Sequence, residues 1–423
     1  MTTQTQTQIV PLEKNLRSRI AWGSVLIVAG LLVLFLFGLT SEAGQSTKFG
    51  LNPGSGSQAI VVPDLIVPAQ PSIYALALVL VFMGAYHMAR GVKSTGILIG
   101  VLAFCFVAAF LVWAARDKSF SLVGMLGSSL VRATPIALAA LCGVISERAG
   151  VVNIAIEGIM LITAQVAVVA ATVSHNLWFG LLIAILAGGL LAALHAFLVI
   201  RFKVDQIVSG VAINIIGTGV TSFVSSRFLE KNTNLLNNSG TFPSISIPLL
   251  AKIPILGPVL FENTPIVFLT MILVAVLHIV LFYTPWGLRT RAVGEHPKAA
   301  DTLGVNVYLV RYINVIIGGM IAGIGGSYFT IGSVGRFDEV MTAGKGFIGL
   351  AAMIFGKWTP IGAFTSSLIF GFADSLQVKL QILRVPIPSE FLLMAPYIVT
   401  MIVMTGIIGR AIAPAADGAP YEK

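Results

Sequence analysis

Long apolar blocks separated by short polar interruptions set the pattern of this chain from residue 20 to residue 409. They occupy residues 20–39, 72–89, 95–115, 122–145, 153–173, 177–200, 206–228, 265–283, 309–331, 346–372 and 391–409. Most match the roughly 20 residues that a helix needs to cross a hydrocarbon layer about 30 Å thick. The pattern predicts an all-α, polytopic transmembrane helical bundle of about 10–12 crossings. Pro135 and Pro360 fall inside two blocks and are expected to break their helices. The block at 346–372 is the stronger candidate for a split, because Gly356-Lys357-Trp358-Thr359-Pro360 places a basic residue and a helix breaker together. An even number of crossings then leaves Lys357 and the tail 410–423 on the same side as the N-terminus.

Composition agrees with that pattern. With 57% hydrophobic and 10% charged residues and a mean hydropathy of +0.94, 423 residues carry more apolar surface than a water-soluble core can hide. The net charge of +9 does not point to nucleic acid, because the basic residues are scattered between apolar blocks and form no stripe. They report orientation. Lys14, Arg17 and Arg19 precede the first block, which is too long for a cleaved secretory leader, so residues 1–19 are expected as a cytoplasmic tail. Arg90 and Lys93, then Arg201 and Lys203, then Arg289, Arg291, Lys298 and Arg311 mark further cytoplasmic loops. The long stretches 44–71 and 230–264 are poor in basic residues and rich in Gly, Pro, Ser and Asn, as exterior loops should be. Arg116 and Lys118 break the bias. Cys105 and Cys142 lie in apolar runs with no ligand spacing, so no metal site is expected.

Polar residues at membrane depth carry the chemistry. The segment from Ser146-Glu147-Arg148 through Asn153 to Glu157-Gly158 holds two carboxylates, an arginine and an amide between apolar blocks. Such a broken or re-entrant segment is costly unless it is buried in protein or faces a water-filled path. Asn153 is expected to cap the following helix, with Glu157 one turn later. The alternative is purely structural, with Glu147 paired to Arg148 and Asn153 and Glu157 merely stabilising a helix start. The loop 284–311 reads differently: Gly294, Glu295, His296, Pro297, Lys298, Ala299, Ala300 and Gly304 spell a short surface helix ended by glycine. Gln165, His195, Asn214 and His278 are lone polar residues, each expected to bond between helices. Gly319 and Gly323 form a G-x-x-x-G pair, expected to pack helices tightly within the chain.

Two absences bound the mechanism. Neither Gly344-Lys345 nor Gly356-Lys357 has the flanking residues of a phosphate-binding G-x-x-x-x-G-K-[ST] loop. Nor does the chain show the row of intramembrane carboxylates and histidines expected of a proton relay. No catalytic cluster is evident either. Energy is expected from a partner; the rival reading is an ion-gradient-driven secondary transporter of a small polar solute.

The run Ala133-Thr134-Pro135 through Leu141-Cys142-Gly143-Val144-Ile145-Ser146-Glu147-Arg148-Ala149-Gly150-Val151-Val152-Asn153-Ile154-Ala155-Ile156-Glu157-Gly158 resembles the signature of bacterial ABC-importer permeases for nucleosides and simple sugars. Residues 294–305 resemble the same family's coupling helix, and the likeness extends over about residues 120–410. Ala155 stands where the family usually has glycine, and His296 where it often has asparagine. The resemblance implies a plasma-membrane transport subunit with no enzymatic activity, closest to the nucleoside branch. It further implies a second permease subunit, related or identical, a cytoplasmic ATPase that holds ATP and magnesium, and an extracytoplasmic substrate-binding protein. The implied division is a tail at 1–19, added transmembrane helices at 20–118, a permease core at 119–412 and a tail at 413–423. Asn153, Glu157 and Asn214 are the candidate pathway residues, since amides and a carboxylate could hydrogen-bond a sugar or base; Gly294, Glu295, Lys298, Ala299, Ala300 and Gly304 are the implied ATPase-coupling residues.

Overall fold

The computed structural model describes residues 12–52, 61–92, 94–394 and 411–423. Most of the block expected at 391–409 lies outside the described residues, as do Lys93 and the first eleven residues of the expected N-terminal tail. Among the described residues, ten helices are long and apolar enough to cross a membrane. They fall on the apolar blocks read from the sequence, as expected for a multi-pass membrane protein. Contacts divide the chain into two compact units, 1–55 with 61–123 and 380–387, and 124–379 with 388–423.

The first unit holds helices α1 (Leu12–Val33), α2 (Ala69–Arg90) and α3 (Thr95–Ala114). Arg19 closes the C-terminal end of α2 by donating to the carbonyls of Met88 (2.8 Å) and Ala89 (2.6 Å), which have no partner inside the helix. The loop expected at 44–71 is more ordered than its composition implied. It contributes β1 (Ser46–Gly50) and β2 (Leu65–Pro68), which join β3 (Ser119–Ser121) in a sheet ordered β2-β1-β3. Here the exceptions to the charge bias find their use. Arg116 donates to the Thr40 carbonyl and stacks over Trp113, and the Lys118 ammonium bonds the Leu383 carbonyl.

The second unit contains α4 (Leu122–Glu147, from Gly124), α5 (Ile156–Ser174), α6 (Leu177–Ala196), α7 (Gln206–Val224), α8 (Pro265–Tyr283), α9 (Pro285–Glu295), α10 (Pro297–Thr302), α11 (Val307–Phe329), α12 (Lys345–Phe355) and α13 (Pro360–Ile382). The expected break at Pro135 does not occur: α4 runs through it. Ile136, Ala137, Leu138, Ala139, Ala140 and Leu141 are all buried, and packing along that turn outweighs the ~3 kcal/mol an interior proline costs. The break before Pro360 does occur, giving the short α12 and the full-length α13.

Helix α11 packs closely on α5 and α6 because glycines remove the side chains between them. A Cβ on Gly319 would sit 2.1 Å from the Ala192 Cβ, one on Gly323 2.4 Å from the Ala184 carbonyl, and one on Gly326 2.2 Å from the Met160 carbonyl. The G-x-x-x-G pair therefore serves packing within the chain.

Candidate functional site

Helix α4 ends in a Schellman turn. Gly150 adopts φ +79°, the Gly150 amide bonds the Glu147 carbonyl and the Val151 amide bonds the Ser146 carbonyl. The chain then stays non-helical until α5 begins at Ile156. The polar atoms along this stretch are met by other helices. The Val152 amide donates to Gln206 Oε1 at 2.7 Å, the Gly158 amide to Asn214 Oδ1 at 2.7 Å, and Asn214 Nδ2 to the Ile154 carbonyl at 2.9 Å. At 1.5 Å per residue, Asn214 lies about 12 Å along α7 from Gln206. Helix α5 thus starts inside the bundle, with its first turn capped from a neighbouring helix.

The expected cap by Asn153 is not formed. Ala155 occupies the capping position without a side-chain bond, while Asn153 is fully buried with Nδ2 3.6 Å from Cys142 Sγ. The amide of Asn214 does this work because α7 crosses the break and the chain from Val151 to Ala155 packs against it.

Glu157 caps a second helix. Its carboxylate accepts from Thr342 Oγ1 at 2.6 Å, the Gly344 amide at 2.9 Å and the Gly346 amide at 2.7 Å, which places it on the N-terminus of α12. A Cβ on Gly346 would lie 2.8 Å from the Glu157 Cα, so glycine is what allows the two helix starts to touch. A carboxylate between the positive ends of two helices is electrostatically favourable. Asn214 thus makes the helix-to-helix bond expected of it, and Glu157 stabilises a helix start. The expected Glu147–Arg148 pair is absent: Glu147 accepts from Trp358 Nε1 at 2.6 Å, and Arg148 donates to the carbonyls of Trp358 and Lys357.

Lys345, held between the two amides that Glu157 binds, opens onto a cavity of about 360 Å³. Arg132 of α4, Lys345 of α12, Asp374 of α13 and Tyr328 and Phe329 of α11 line it. Asp374 Oδ2 accepts from Arg132 Nη1 and Lys345 Nζ, both at 3.1 Å. At 1.5 Å per residue, Asp374 lies about 21 Å along α13 from Pro360, near the middle of the bundle. None of these three ionic residues stood out in the sequence. The signal available was a charged residue inside the apolar block 122–145, at 132, and another just past the block 346–372, at 374.

The lone polar residues behave as expected in three cases. Gln165 donates to the Thr221 carbonyl, His195 bridges Ser209 and the Val152 carbonyl, and Asn214 acts as described. His278 instead packs against the rings of Phe282 and Tyr283.

At the basic end of the bundle, α9 and α10 form a compact elbow closed by Gly304 at φ +81°. A Cβ on Gly294 would lie 2.3 Å from the Arg148 carbonyl, which ties the elbow to the end of α4. The residues singled out there divide. Gly294 and Ala300 are buried against the chain itself, whereas Lys298, Ala299 and Gly304 are exposed, as is Leu303 at 85%.

The tail 411–423 lies against this elbow. The Ala416 amide donates to the Gly294 carbonyl at 2.8 Å, and the Ala415 amide donates to Glu295 Oε2 at 3.2 Å. Arg311 Nη1 donates to the Ala419 carbonyl at 3.0 Å, and Lys203 pairs with Glu422 at 2.5 Å. Tyr421 fills a cluster with Val293, Ala300, Val307 and Val310. Burial pushes the Asp417 carboxyl up to about 6, while its bond with Glu147, the Gly418 amide and Arg311 pull the other way. A carboxyl whose pKa is raised by docking favours the docked state when protonated. That contribution is complete below the free carboxyl's pKa and is lost as pH rises through about 6. Hydrogen-exchange protection of the Ala415 and Ala416 amides should therefore fall between the free carboxyl's pKa and about 6, by at most roughly tenfold per pH unit. Asp417→Asn should flatten the profile.

Residues 125–408 match the family described as branched-chain amino acid transport system / permease component. The chain belongs to this family. The permease is 45% identical over 314 residues to the guanosine ABC transporter permease protein NupQ of Bacillus subtilis, covering 70% of this chain and 95% of that one. It is 41% identical over 310 residues to the nucleoside ABC transporter permease protein NupC of Lactococcus lactis, covering 71% and 96%. A putative glucose ABC transporter permease protein of Haloferax volcanii, TsgC13, is 36% identical over 262 residues, covering 61% and 78%. No solved structure matches the chain significantly.

Proposed function

We propose that this permease forms, together with a second permease subunit, the path by which nucleosides enter the cell. ATP and magnesium are held by a separate cytoplasmic ATPase, and an extracytoplasmic substrate-binding protein delivers the cargo. The observation that carries this reading is identity of 45% and 41% over nearly the whole lengths of two permeases named for guanosine and for nucleosides. The lower identity and coverage of the relative named for glucose favour nucleosides over sugars as cargo.

In this reading residues 119–412 are the transport core, residues 20–118 an added membrane module, and the ends 1–19 and 413–423 cytoplasmic. The α9–α10 elbow is the ATPase docking element. ATP binding draws the ATPase modules together, the elbow transmits the displacement, and the helices that meet at Glu157 and Gly346 exchange inward-open and outward-open arrangements. Asn153, Glu157 and Asn214 shape the path by fixing the broken segment, and Glu157 positions Lys345 at the cavity. The chain itself performs no covalent chemistry.

Co-expression with the cognate ATPase tests the assembly. The permease is expected to co-purify with it, and ATP hydrolysis by the complex is expected to rise when nucleoside-loaded binding protein is added. A permease that purifies without any nucleotide-binding subunit, while still transporting, would contradict the proposal.

A further inference from the structure

We infer that the Arg132–Asp374–Lys345 cavity is the subsite that holds the nucleobase during passage, and that it prefers bases presenting two adjacent acceptors, such as guanine and hypoxanthine. This rests on the nucleoside reading above and extends it to named residues. Ionic side chains in the middle of a membrane bundle are costly, and those that persist usually serve a path. Arg132 and Lys345 are two cations against one carboxylate, and both bond the same oxygen, Asp374 Oδ2. The site therefore carries one unit of positive charge in excess. A guanidinium has five N–H donors, and Nη1 makes the bond to Asp374, so further donors remain for a ligand.

The dimensions and walls fit a base. About 360 Å³ lies at the small end of the range for small-molecule pockets. Phe329, half-buried, supplies an aromatic wall of the kind on which bases stack, and Tyr328 lines the cavity from the core behind it. Guanine and hypoxanthine present O6 and N7 side by side as acceptors, the pair that an arginine fork matches; adenine places an amino donor at the same edge and would point N–H groups at a cation. Asp374 Oδ1, which takes neither cation bond, is placed to accept from a base N–H or a ribose hydroxyl.

The test is ATP-driven uptake of radiolabelled guanosine, inosine and adenosine by the complete importer reconstituted in liposomes, with one unchanged binding protein throughout. Because the binding protein is constant, any change in the guanosine-to-adenosine ratio reports on the permease. Arg132→Met is expected to lower guanosine and inosine uptake about tenfold or more while adenosine uptake falls much less. Arg132→Lys keeps the charge and the pairing with Asp374 but loses the fork, and should move the ratio the same way by a smaller factor even if the Met variant is not inserted. An unchanged ratio in Arg132→Lys, or equal loss for all three nucleosides in both variants, would overturn the assignment while leaving the importer reading intact. Failure of the wild-type importer to take up any nucleoside would overturn both.

Discussion

Replacing Leu303 with aspartate and Ala299 with glutamate is expected to leave the permease folded and inserted while import falls at least about tenfold and the partner ATPase still hydrolyses ATP. The expectation follows from how the elbow is held. Its inward side is fixed by the Gly294 contact with the Arg148 carbonyl, by Ala300 in the cluster around Tyr421, and by the tail bonds to Gly294 and Glu295. Its outward side offers Lys298, Ala299 and Leu303 to solvent, Leu303 at 85%, and this is the face that the proposed docking would cover. Carboxylates there cost the fold little but would have to be desolvated against the proposed ATPase partner, and a tenfold effect needs only about 1.4 kcal/mol. Ala300→Glu is the informative contrast, because it forces a charge into the Val293–Tyr421 cluster and should release the tail and destabilise the protein itself. ATPase-coupled transport at the parental rate in the Leu303/Ala299 double variant would remove the elbow from the docking assignment.

Glu157→Ala is expected to destabilise the permease by roughly 3 kcal/mol or more and to abolish most uptake. The alanine leaves three donors without their acceptor, the buried Thr342 hydroxyl and Gly346 amide and the half-buried Gly344 amide, and an orphaned buried donor costs ~1–3 kcal/mol. The negative charge shared by the starts of α5 and α12 is lost as well. Glutamine is a poor substitute, since its amide nitrogen would face an N–H donor. The measurement is thermal unfolding of the detergent-purified complex alongside abundance in the membrane. An Ala variant with wild-type stability would show that the two helix starts do not depend on this carboxylate.

The helical frame was legible because its signal is local. A run such as 265–283 needs only its own residues to be read, and it becomes α8 with those boundaries. The broken segment at Glu147–Gly158 and the split before Pro360 were legible for the same reason: polar residues or breakers interrupt an apolar run. What could not be read is who answers whom. Asn153 sits at a cap position by spacing, yet the helix is capped by Asn214, roughly 60 residues later, because α7 crosses there. Glu157 was expected to serve the start of its own helix, and its partners, Thr342 and the amides of Gly344 and Gly346, lie at the start of another. Pro135 obeyed packing over propensity. The cavity was invisible since Arg132, Lys345 and Asp374 come from three separate helices. The tail carried no periodic signal at all, and its place against the elbow depends on Tyr421, Asp417 and backbone bonds.

Transport through this permease is proposed to be powered by ATP on a partner. Liposomes containing the permease, its second subunit and the ATPase, loaded with ATP and given guanosine with the binding protein outside, measure it directly. Guanosine is predicted to accumulate only when hydrolysable ATP is inside, and to do so equally well after ionophores have collapsed all ion gradients. Accumulation without ATP that disappears with the ionophores would contradict the account and identify an ion-driven transporter instead.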